Sequence, residues 1–346
     1  MLIANNASSS GRLPAGMTYG GSVRPCELVF QQAEVRVSAA GGPPKTKLVD
    51  IGMPAVPKRF LDCVVYLYPS VASAEVGQCA GGSGFIASVK SKTHPEAVHM
   101  YMVSNYHTVM TKGCTVARVN RRDGGVSIID HDQLDWVHIP DGGDVAAAPF
   151  TAIEGVPWLH VSEDVLLTQA QCGDMFGVGD DVFMVGRFID HDGGETNRPA
   201  LRFGNVSIEP TPMAARNSNS SVEYFCLDMH SRSGFSGSPV FVYRTPGSDL
   251  SNVFTDDGTR REPVVLTSRD TKVKLLGIHC GQFPENMWLK GDKEDDPGTR
   301  PIVGYSGMTY ALPAWKILEL LHCPKFVASR ALRDAEFEGV NFPCQE

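Results

Sequence analysis

From Arg59 onward the chain alternates short apolar runs, rich in Val, Ile, Tyr and Phe, with turns of Gly, Asp and Asn. Repeated short strands separated by turn signals are typical of an all-β sandwich or barrel. The pattern predicts strands near residues 62–68, 82–89, 98–104, 114–120, 125–129, 144–150, 180–188, 201–208, 222–228, 239–244, 273–279 and 305–311.

A single helix is predicted near the C-terminus, over Pro313–His322. Proline stands at its start, where a missing N–H costs nothing, and Trp315, Leu318 and Leu321 fall on one stripe at helical spacing. The residues that follow, 323–346, form a tail that is too short for a second domain and that can pack on the body as a helix.

Residues 1–58 differ in texture from the body, because they are rich in Gly, Pro, Ser and Ala and contain one strand-like run, Glu34–Ser38. This composition predicts a linker-like extension, with the body spanning residues 59–322. Two polar insertions, 245–272 and 282–301, interrupt the later strands. Insertions of this length are either functional lids or solvated excursions.

Composition narrows the classes of partner. Charged residues make up 20% and hydrophobic residues 42% of the 346 positions, and the formal net charge is −8. No basic cluster is longer than two residues, so we expect no nucleic-acid partner. The longest apolar runs have the length of strands, so we expect no membrane contact through a spanning segment.

The cysteines and the first residues of the chain indicate a compartment. The N-terminus lacks the charged and apolar regions of a signal peptide. Nine cysteines, an odd number without C-x-x-C spacing, favour reduced thiols and a cytoplasmic location and argue against a structural zinc site. We expect no metal and no cofactor, and nothing in the sequence sets the oligomeric state.

The stretch Ser231–Phe241 carries the first candidate chemistry. Gly234 and Gly237 flank Ser236, and a proline and an apolar run follow. Glycine permits positive φ and close approach of the backbone, so the N–H groups of Gly234 and Ser236 can converge on one point as an oxyanion hole. The alternative is an ordinary Gly/Ser hairpin, since short motifs also occur by chance.

A serine nucleophile needs a base and a third group that orients the base. His107 stands where an apolar run gives way to a loop, and Asp144 begins an apolar run, where an acid is costly unless it is paired. Asp141 and Asp135 are fallback acids, and Asp144 could also be only a turn residue. The competing histidines that lie in polar loops or at element ends, and that we expect at the surface, are His131, His138, His160, His191 and His322.

The order His107, Asp144, Ser236, together with the strand-rich texture and the terminal helix, resembles the trypsin-like serine proteases of the chymotrypsin fold. The resemblance runs from about Leu61 to Leu321. The segments that match this family are Gly82–Ile86, Asp144–Ala146, Gly179–Gly186, Gly234–Pro239, Leu276–Gly281 and Gly307–Pro313.

The resemblance implies two six-stranded antiparallel β-barrels that meet near residues 155–175, with the site in the cleft between them. His107 would accept the proton of Ser236, Asp144 would orient the imidazole, and the amides of Gly234 and Ser236 would bind the oxyanion. Phe235 departs from the family pattern, because members that are activated by cleavage carry an Asp there. Activation through that ion pair is therefore not available.

The resemblance also implies a substrate pocket. One wall for the residue before the scissile bond would come from His279, Cys280 and Gly281. His279 together with Ser231, five residues before the nucleophile, is similar to the pattern of glutamyl endopeptidases and picornavirus-type main proteases.

Hydrogen-bond donors in a buried pocket reject a side chain that cannot pair with them. We therefore predict cleavage after Glu, with Gln second. His230 is a further candidate for the pocket, and the alternative role of His279 is to support the catalytic residues from behind.

The sequence thus predicts a serine endopeptidase that acts on a polypeptide substrate. A rival from another class is a catalytically silent protease-fold module that binds acidic or Gln-containing segments. A third and less favoured possibility is a cysteine hydrolase that uses Cys280 or Cys226.

Overall fold

The computed structural model describes residues 56–77, 81–157, 159–173, 176–189, 194–214, 221–243, 273–287 and 302–339. The predicted strand-like run Glu34–Ser38, the rest of the extension up to residue 55, and the insertion 245–272 lie outside the described residues. Within the described ranges, no helix combines the length and the apolar character that a membrane crossing requires.

The described residues are mainly β-strands. The strands are β1 (Val64–Tyr68), β2 (Gly82–Lys90), β3 (Val98–Ser104), β4 (Val116–Asn120), β5 (Val126–Asp130), β6 (Ala146–Phe150), β7 (Val161–Ser162), β8 (Asp181–Gly186), β9 (Ala200–Ala214), β10 (Ser221–Asp228), β11 (Pro239–Tyr243), β12 (Val273–Met287) and β13 (Ile302–Pro313). The α-helices are α1 (Lys58–Asp62), α2 (Val71–Val76), α3 (Ala314–Leu321) and α4 (Pro324–Gly339).

The first half of the body is an antiparallel sheet in the order β5-β4-β1-β2-β3-β6, to which β7 adds in parallel beside β2. The path is open at β5 and β6, where a closed barrel was predicted. The physical reason lies in the chain between these strands, which forms a 3-10 turn at Gln133–Asp135 and one isolated bridge, Val137 to Ala147, instead of a ladder.

The second half is a closed antiparallel barrel in the order β10-β13-β12-β11-β8-β9. Closure removes exposed strand edges and fixes the relative position of distant segments. As a result the turn before β11, which contains Ser236, is held against β12 through pairs such as Pro239 with Ile278. The predicted all-β fold of two six-stranded antiparallel units followed by a C-terminal helix is confirmed, as expected for a chymotrypsin-like fold.

Apolar packing joins the two halves. One buried cluster fills the first sheet around residues such as Leu67, Met102 and Trp136, and a larger cluster extends from the second barrel across the seam. Phe60 of α1 lies edge-on against Phe183 and Phe241, with ring centroids 5.4 Å and 4.9 Å away. The seam is therefore a packed core, which gives residues from both halves fixed relative positions.

The C-terminal segment confirms the predicted helix and the docking of the tail. Proline at 313 caps α3, which buries Trp315 and Leu321 of the predicted stripe, while Leu318 is partly buried. The tail forms α4, whose Asp334 accepts a hydrogen bond from His99 Nε2 at 2.8 Å. This contact ties the tail to β3.

Two features of the strands and helices differ from the predictions. β12 continues to Met287 and pairs with the start of β13, so the predicted insertion at 282–301 begins inside a hairpin. The short helices α1 and α2 have five and six residues, too few for a helical period to be visible in the sequence.

Candidate active site

His107 and Asp144 are joined by two hydrogen bonds. The imidazole Nδ1 lies 2.6 Å from Asp144 Oδ2, and the backbone N–H of His107 donates to Asp144 Oδ1 at 2.9 Å. A carboxylate can only accept, so Nδ1 donates this hydrogen bond, and a neutral ring held in this way has its lone pair on Nε2. The arrangement therefore fixes both the tautomer and the orientation of the ring.

The local chain explains why His107 is presented in this way. β3 ends at Ser104, and a π-helical turn, His107–Thr111, begins three residues later. The carbonyl of Asn105 accepts from the N–H groups of Thr108 and Val109 at 3.1 Å and 3.2 Å. The side chain of Asn105 donates to the backbone carbonyl of Asp144 at 2.9 Å, which links the two loops.

Asp144 is 1% exposed, so its carboxylate needs the partners described above. Residues of the second barrel also surround it. Burial raises the pKa of the Tyr224 phenol, with further increases from Cys280 and Asp144 and an opposing backbone hydrogen bond with Asp144. A Cβ at Gly143 would lie 2.5 Å from Leu312 Cδ1, so the acidic loop packs directly on β13. The fallback acids Asp141 and Asp135 are both exposed.

Ser236 lies on a loop built from two successive turns. The N–H of Phe235 donates to Arg232 O at 3.3 Å, and that of Ser238 donates to Phe235 O at 3.0 Å. Gly234, with φ +99°, and Gly237, with φ +88°, hold the third position of each turn, while the residue before each has negative φ. This combination defines type II turns, which need glycine at that position.

Close packing fixes the same glycines. A Cβ at Gly234 would lie 2.4 Å from the carbonyl oxygen of Arg187, and one at Gly237 would lie 2.0 Å from that of Ser83. Both distances are too short for a side chain. The hairpin alternative therefore fails to describe this segment, which is a loop locked between backbone groups of both halves.

Ser83 of β2 ties the serine loop to the first sheet. Its N–H donates to Ser236 O at 2.7 Å, and its hydroxyl donates to Gly234 O at 2.8 Å and accepts from the N–H of Arg187 at 2.8 Å. Ser83 is fully buried. The orientation of the peptide groups around Ser236 is therefore set from across the seam.

Gly82 lies close to both Ser236 and the turn that contains His107. A Cβ at Gly82 would lie 3.0 Å from Ser236 O and 2.6 Å from Thr108 Cγ2. Ser236 is partly exposed, whereas His107 is 7% exposed. The hydrogen bonds of the described residues do not include one between the His107 imidazole and the Ser236 hydroxyl.

A cavity of ≈ 620 Å³ opens beside the serine loop. Two of the predicted pocket residues, Ser231 and His230, line it. The lining residues that the sequence did not indicate are Ile189, Arg202, Arg232, Ser233, Gln282 and Tyr305. They come from β9, β12, β13, the loop after β8 and the loop between β10 and β11, and the closure of the barrel brings these segments together.

The structure places the other predicted pocket residues differently. His279 is 2% exposed, does not line this cavity, and has Nδ1 3.2 Å from the carbonyl oxygen of Phe235. Cys280 is fully buried near Asn105, whose side-chain nitrogen lies 3.4 Å from Sγ. Gly281 pairs with Tyr310 in the ladder between β12 and β13.

The remaining thiols and histidines have structural positions. The six cysteines that the structure describes are Cys63, Cys114, Cys172, Cys226, Cys280 and Cys323, and none of these six forms a disulfide. Burial raises the pKa of Cys63 to about 12 and also raises that of Cys226. Of the histidines expected at the surface, His322 is exposed, and His191 lies outside the described residues. The other three, His131, His138 and His160, are partly buried, and His160 Nδ1 lies 2.8 Å from Ser88 Oγ.

Comparison with known proteins gives structural likenesses only. Neither a family model nor a curated protein matches this sequence. The solved structures that resemble it include the MamO protease domain from Magnetospirillum magneticum in its apo form, with 15% identity and a TM-score of 0.42, covering 75% of this chain and 96% of that one.

Two further structures of this kind are similarly distant. Deg5 shows 18% identity and a TM-score of 0.41, covering 76% of this chain and 88% of that one. The HtrA-type protease AlgW with a decapeptide shows 16% identity and a TM-score of 0.36, covering 69% of this chain and 50% of that one. Similarity at this level says nothing about activity, so the chemistry of this site rests on its own geometry.

Proposed function

We propose that this protein is a serine endopeptidase in which Ser236 is the nucleophile, His107 the base and Asp144 the group that orients the base. The observation that carries the proposal is the doubly hydrogen-bonded pair of His107 and Asp144, which occupies Nδ1 of the imidazole and leaves Nε2 for proton transfer. A buried acid that fixes one histidine tautomer is what proton abstraction from a serine requires.

The reaction follows from these roles. Nε2 of His107 takes the hydroxyl proton as Ser236 Oγ attacks the carbonyl carbon of the scissile bond, and the carbonyl oxygen becomes an oxyanion. The imidazolium then gives its proton to the leaving amine, and the acyl-enzyme forms. Water attacks the acyl-enzyme in a second step with the same base. Asp144 stabilises the imidazolium throughout both steps.

The turns around Ser236 support an oxyanion hole formed by the N–H groups of Gly234 and Ser236. In a type II turn the peptide between the second and third residues is flipped relative to a type I turn. Positive φ at Gly234 therefore indicates one defined orientation of the Ser233–Gly234 peptide group. The hydroxyl of Ser83 donates a hydrogen bond to the carbonyl oxygen of Gly234, which fixes the peptide group that follows. Each preorganised donor in such a hole contributes about 2.7–4 kcal/mol to catalysis.

We further propose that the enzyme cleaves after Glu, with Gln second. The support is the cavity beside the serine loop, whose described lining contains arginine, histidine and hydroxyl side chains and no carboxylate. An acidic side chain gains from such surroundings, while a basic one would be repelled. His279 contributes indirectly in this proposal, because its contact with Phe235 O lies behind the serine loop.

A binding module without activity is the second candidate. The observation that favours it is the lack of a hydrogen bond between His107 and Ser236 among the described contacts. In that case the cavity would retain an acidic segment, and the Ser236 hydroxyl would stay unreactive.

Cleavage of a fluorogenic peptide library, varied at the residue before the scissile bond, separates the two candidates. We expect the purified chain to cut after Glu and more slowly after Gln. Ser236→Ala and His107→Ala should each lower kcat by at least about 10³-fold. Peptides that bind the wild-type chain and are never cut would replace the endopeptidase with the binding module.

A further inference from the structure

The cavity beside the serine loop is lined by two arginines that the sequence pattern did not indicate, Arg202 and Arg232. Arg202 lies on β9, opposite the buried Met184 of β8. Arg232, the other arginine of the cavity, is exposed, whereas Arg202 is partly buried. Charge interactions are screened less at partly buried positions, so Arg202 is the stronger candidate to recognise a charged ligand.

Aromatic rings hold the Arg202 side chain in place. The guanidinium carbon lies 5.8 Å from the ring centroid of Phe235, the residue before the nucleophile, and 5.6 Å from that of Phe188. Cation–π contacts of this kind orient a guanidinium without neutralising its charge. The described ion pairs provide no carboxylate for Arg202, so its charge is available to a ligand.

Two buried polar atoms in the cavity have unused hydrogen-bonding capacity. Within the described part of the chain, Arg202 Nε and Ser231 Oγ are inaccessible to solvent and have no hydrogen-bond partner. Ser231 is only 7% exposed, and both residues line the cavity. Buried donors without partners carry a free-energy cost, which a ligand that accepts hydrogen bonds would remove.

We propose that Arg202 is the specificity-determining residue that binds the carboxylate of a substrate Glu side chain, with Ser231 as a second donor. The inference rests on the proposed function for its assignment of the substrate. Ser231, Arg232 and Ser233 line the cavity and lead directly to Gly234 and Ser236. A side chain next to the carbonyl that Ser236 attacks therefore enters this cavity. Planar, bidentate pairing with a carboxylate is the interaction for which a guanidinium is best suited.

The test compares two peptides that differ only in Glu or Gln before the scissile bond. We expect wild-type kcat/KM to favour Glu by about 30-fold, or about 2 kcal/mol at 1.4 kcal/mol per tenfold. Arg202→Gln should bring the Glu/Gln ratio close to one, and Arg202→Lys should give an intermediate ratio. Arg198→Gln is the matched control, because Arg198 is exposed and lines a different cavity.

Labelling and cleavage together separate this inference from the proposed function. Active-site titration with a fluorophosphonate counts folded, competent molecules, so a poorly folding variant does not alter the ratio. A wild-type chain that labels and cleaves, with an unchanged ratio in Arg202→Gln, overturns the role of Arg202 and leaves the peptidase in place. A wild-type chain that neither labels nor cleaves overturns the peptidase.

If the wild-type chain neither labels nor cleaves, the role of Arg202 is tested by measuring the binding of the same two peptides by calorimetry. The comparison uses Ser236→Ala with and without Arg202→Gln. Loss of the Glu preference with Arg202→Gln supports the assignment of Arg202. An equal preference in both backgrounds rejects it.

Discussion

The hydroxyl of Ser83 offers a way to disturb the serine loop without touching a proposed catalytic side chain. Ser83→Ala removes the donor to Gly234 O and the acceptor for the N–H of Arg187, both at 2.8 Å. The contact of the Ser83 N–H with Ser236 O is a backbone contact and survives the substitution. The change therefore loosens the proposed oxyanion turn specifically.

The magnitude follows from the two backbone groups that lose a partner. A buried group left unsatisfied costs about 1–3 kcal/mol, so the two groups together should lower the free energy of unfolding of Ser83→Ala by about 2–6 kcal/mol. Most domains stay folded after such a loss, because their stability is about 5–15 kcal/mol. Since a fully lost oxyanion donor costs about 10²–10³ in kcat, a loosened turn should lower kcat by about 10- to 100-fold.

The matched control is Ser88→Ala. Ser88 is a buried serine on the same strand, but its hydroxyl bonds to His160 Nδ1 at 2.8 Å, on a residue outside the candidate site. Urea unfolding and kcat should be measured for both variants. We expect both to be destabilised and only Ser83→Ala to lose turnover. Equal kcat values in the two variants would refute the reasoning that Ser83 sets the turn.

Two further predictions concern the buried pairs of His107 with Asp144 and of His99 with Asp334. Asp144→Asn should lower kcat by about 10⁴-fold, because the amide favours the wrong imidazole tautomer; steady-state kinetics of the purified variant test this, and a loss below tenfold would contradict the role of Asp144. The free energy of unfolding should fall as the pH drops through 6.5, because burial lowers the pKa of His99 from that ordinary value, so the unfolded chain binds a proton that the folded chain does not. For Asp334 burial acts upward, yet hydrogen bonds from Ser91 and His99 hold its pKa below 3.8, which extends the loss to lower pH. The free energy of unfolding, measured by denaturant titration at a series of pH values, should depend less steeply on pH in His99→Gln than in the wild-type chain. An unchanged pH dependence would contradict the assignment to His99.

The strand pattern was predictable because it is local. Alternating apolar runs and turn residues located strands such as 98–104, which the structure reproduces at Val98–Ser104. The extension of β12 to Met287 was not predicted, because its end contains Pro284 and Glu285 and is held by pairing with β13. Cross-strand pairing of this kind leaves no periodic signal in the strand itself.

A residue of the candidate site could be predicted where its neighbours in the sequence mark it. Ser236 has flanking glycines, and Asp144 is an acid at the head of an apolar run. The cavity was not predictable in the same way, since Arg202 reaches it only through the closure of the barrel. The pattern of apolar and polar residues in β9 does not indicate that the Arg202 side chain lies near Phe235. The sequence predicted His279 as the pocket residue instead.

Mass spectrometry of the intact protein after reaction with a fluorophosphonate tests the central proposal most directly. We expect one adduct per chain, located on Ser236, with no adduct in Ser236→Ala and much slower labelling in His107→Ala. Ser88→Ala should label like the wild-type chain. A wild-type chain that stays unlabelled, or labelling that persists in Ser236→Ala, would contradict the assignment of Ser236 as an activated nucleophile.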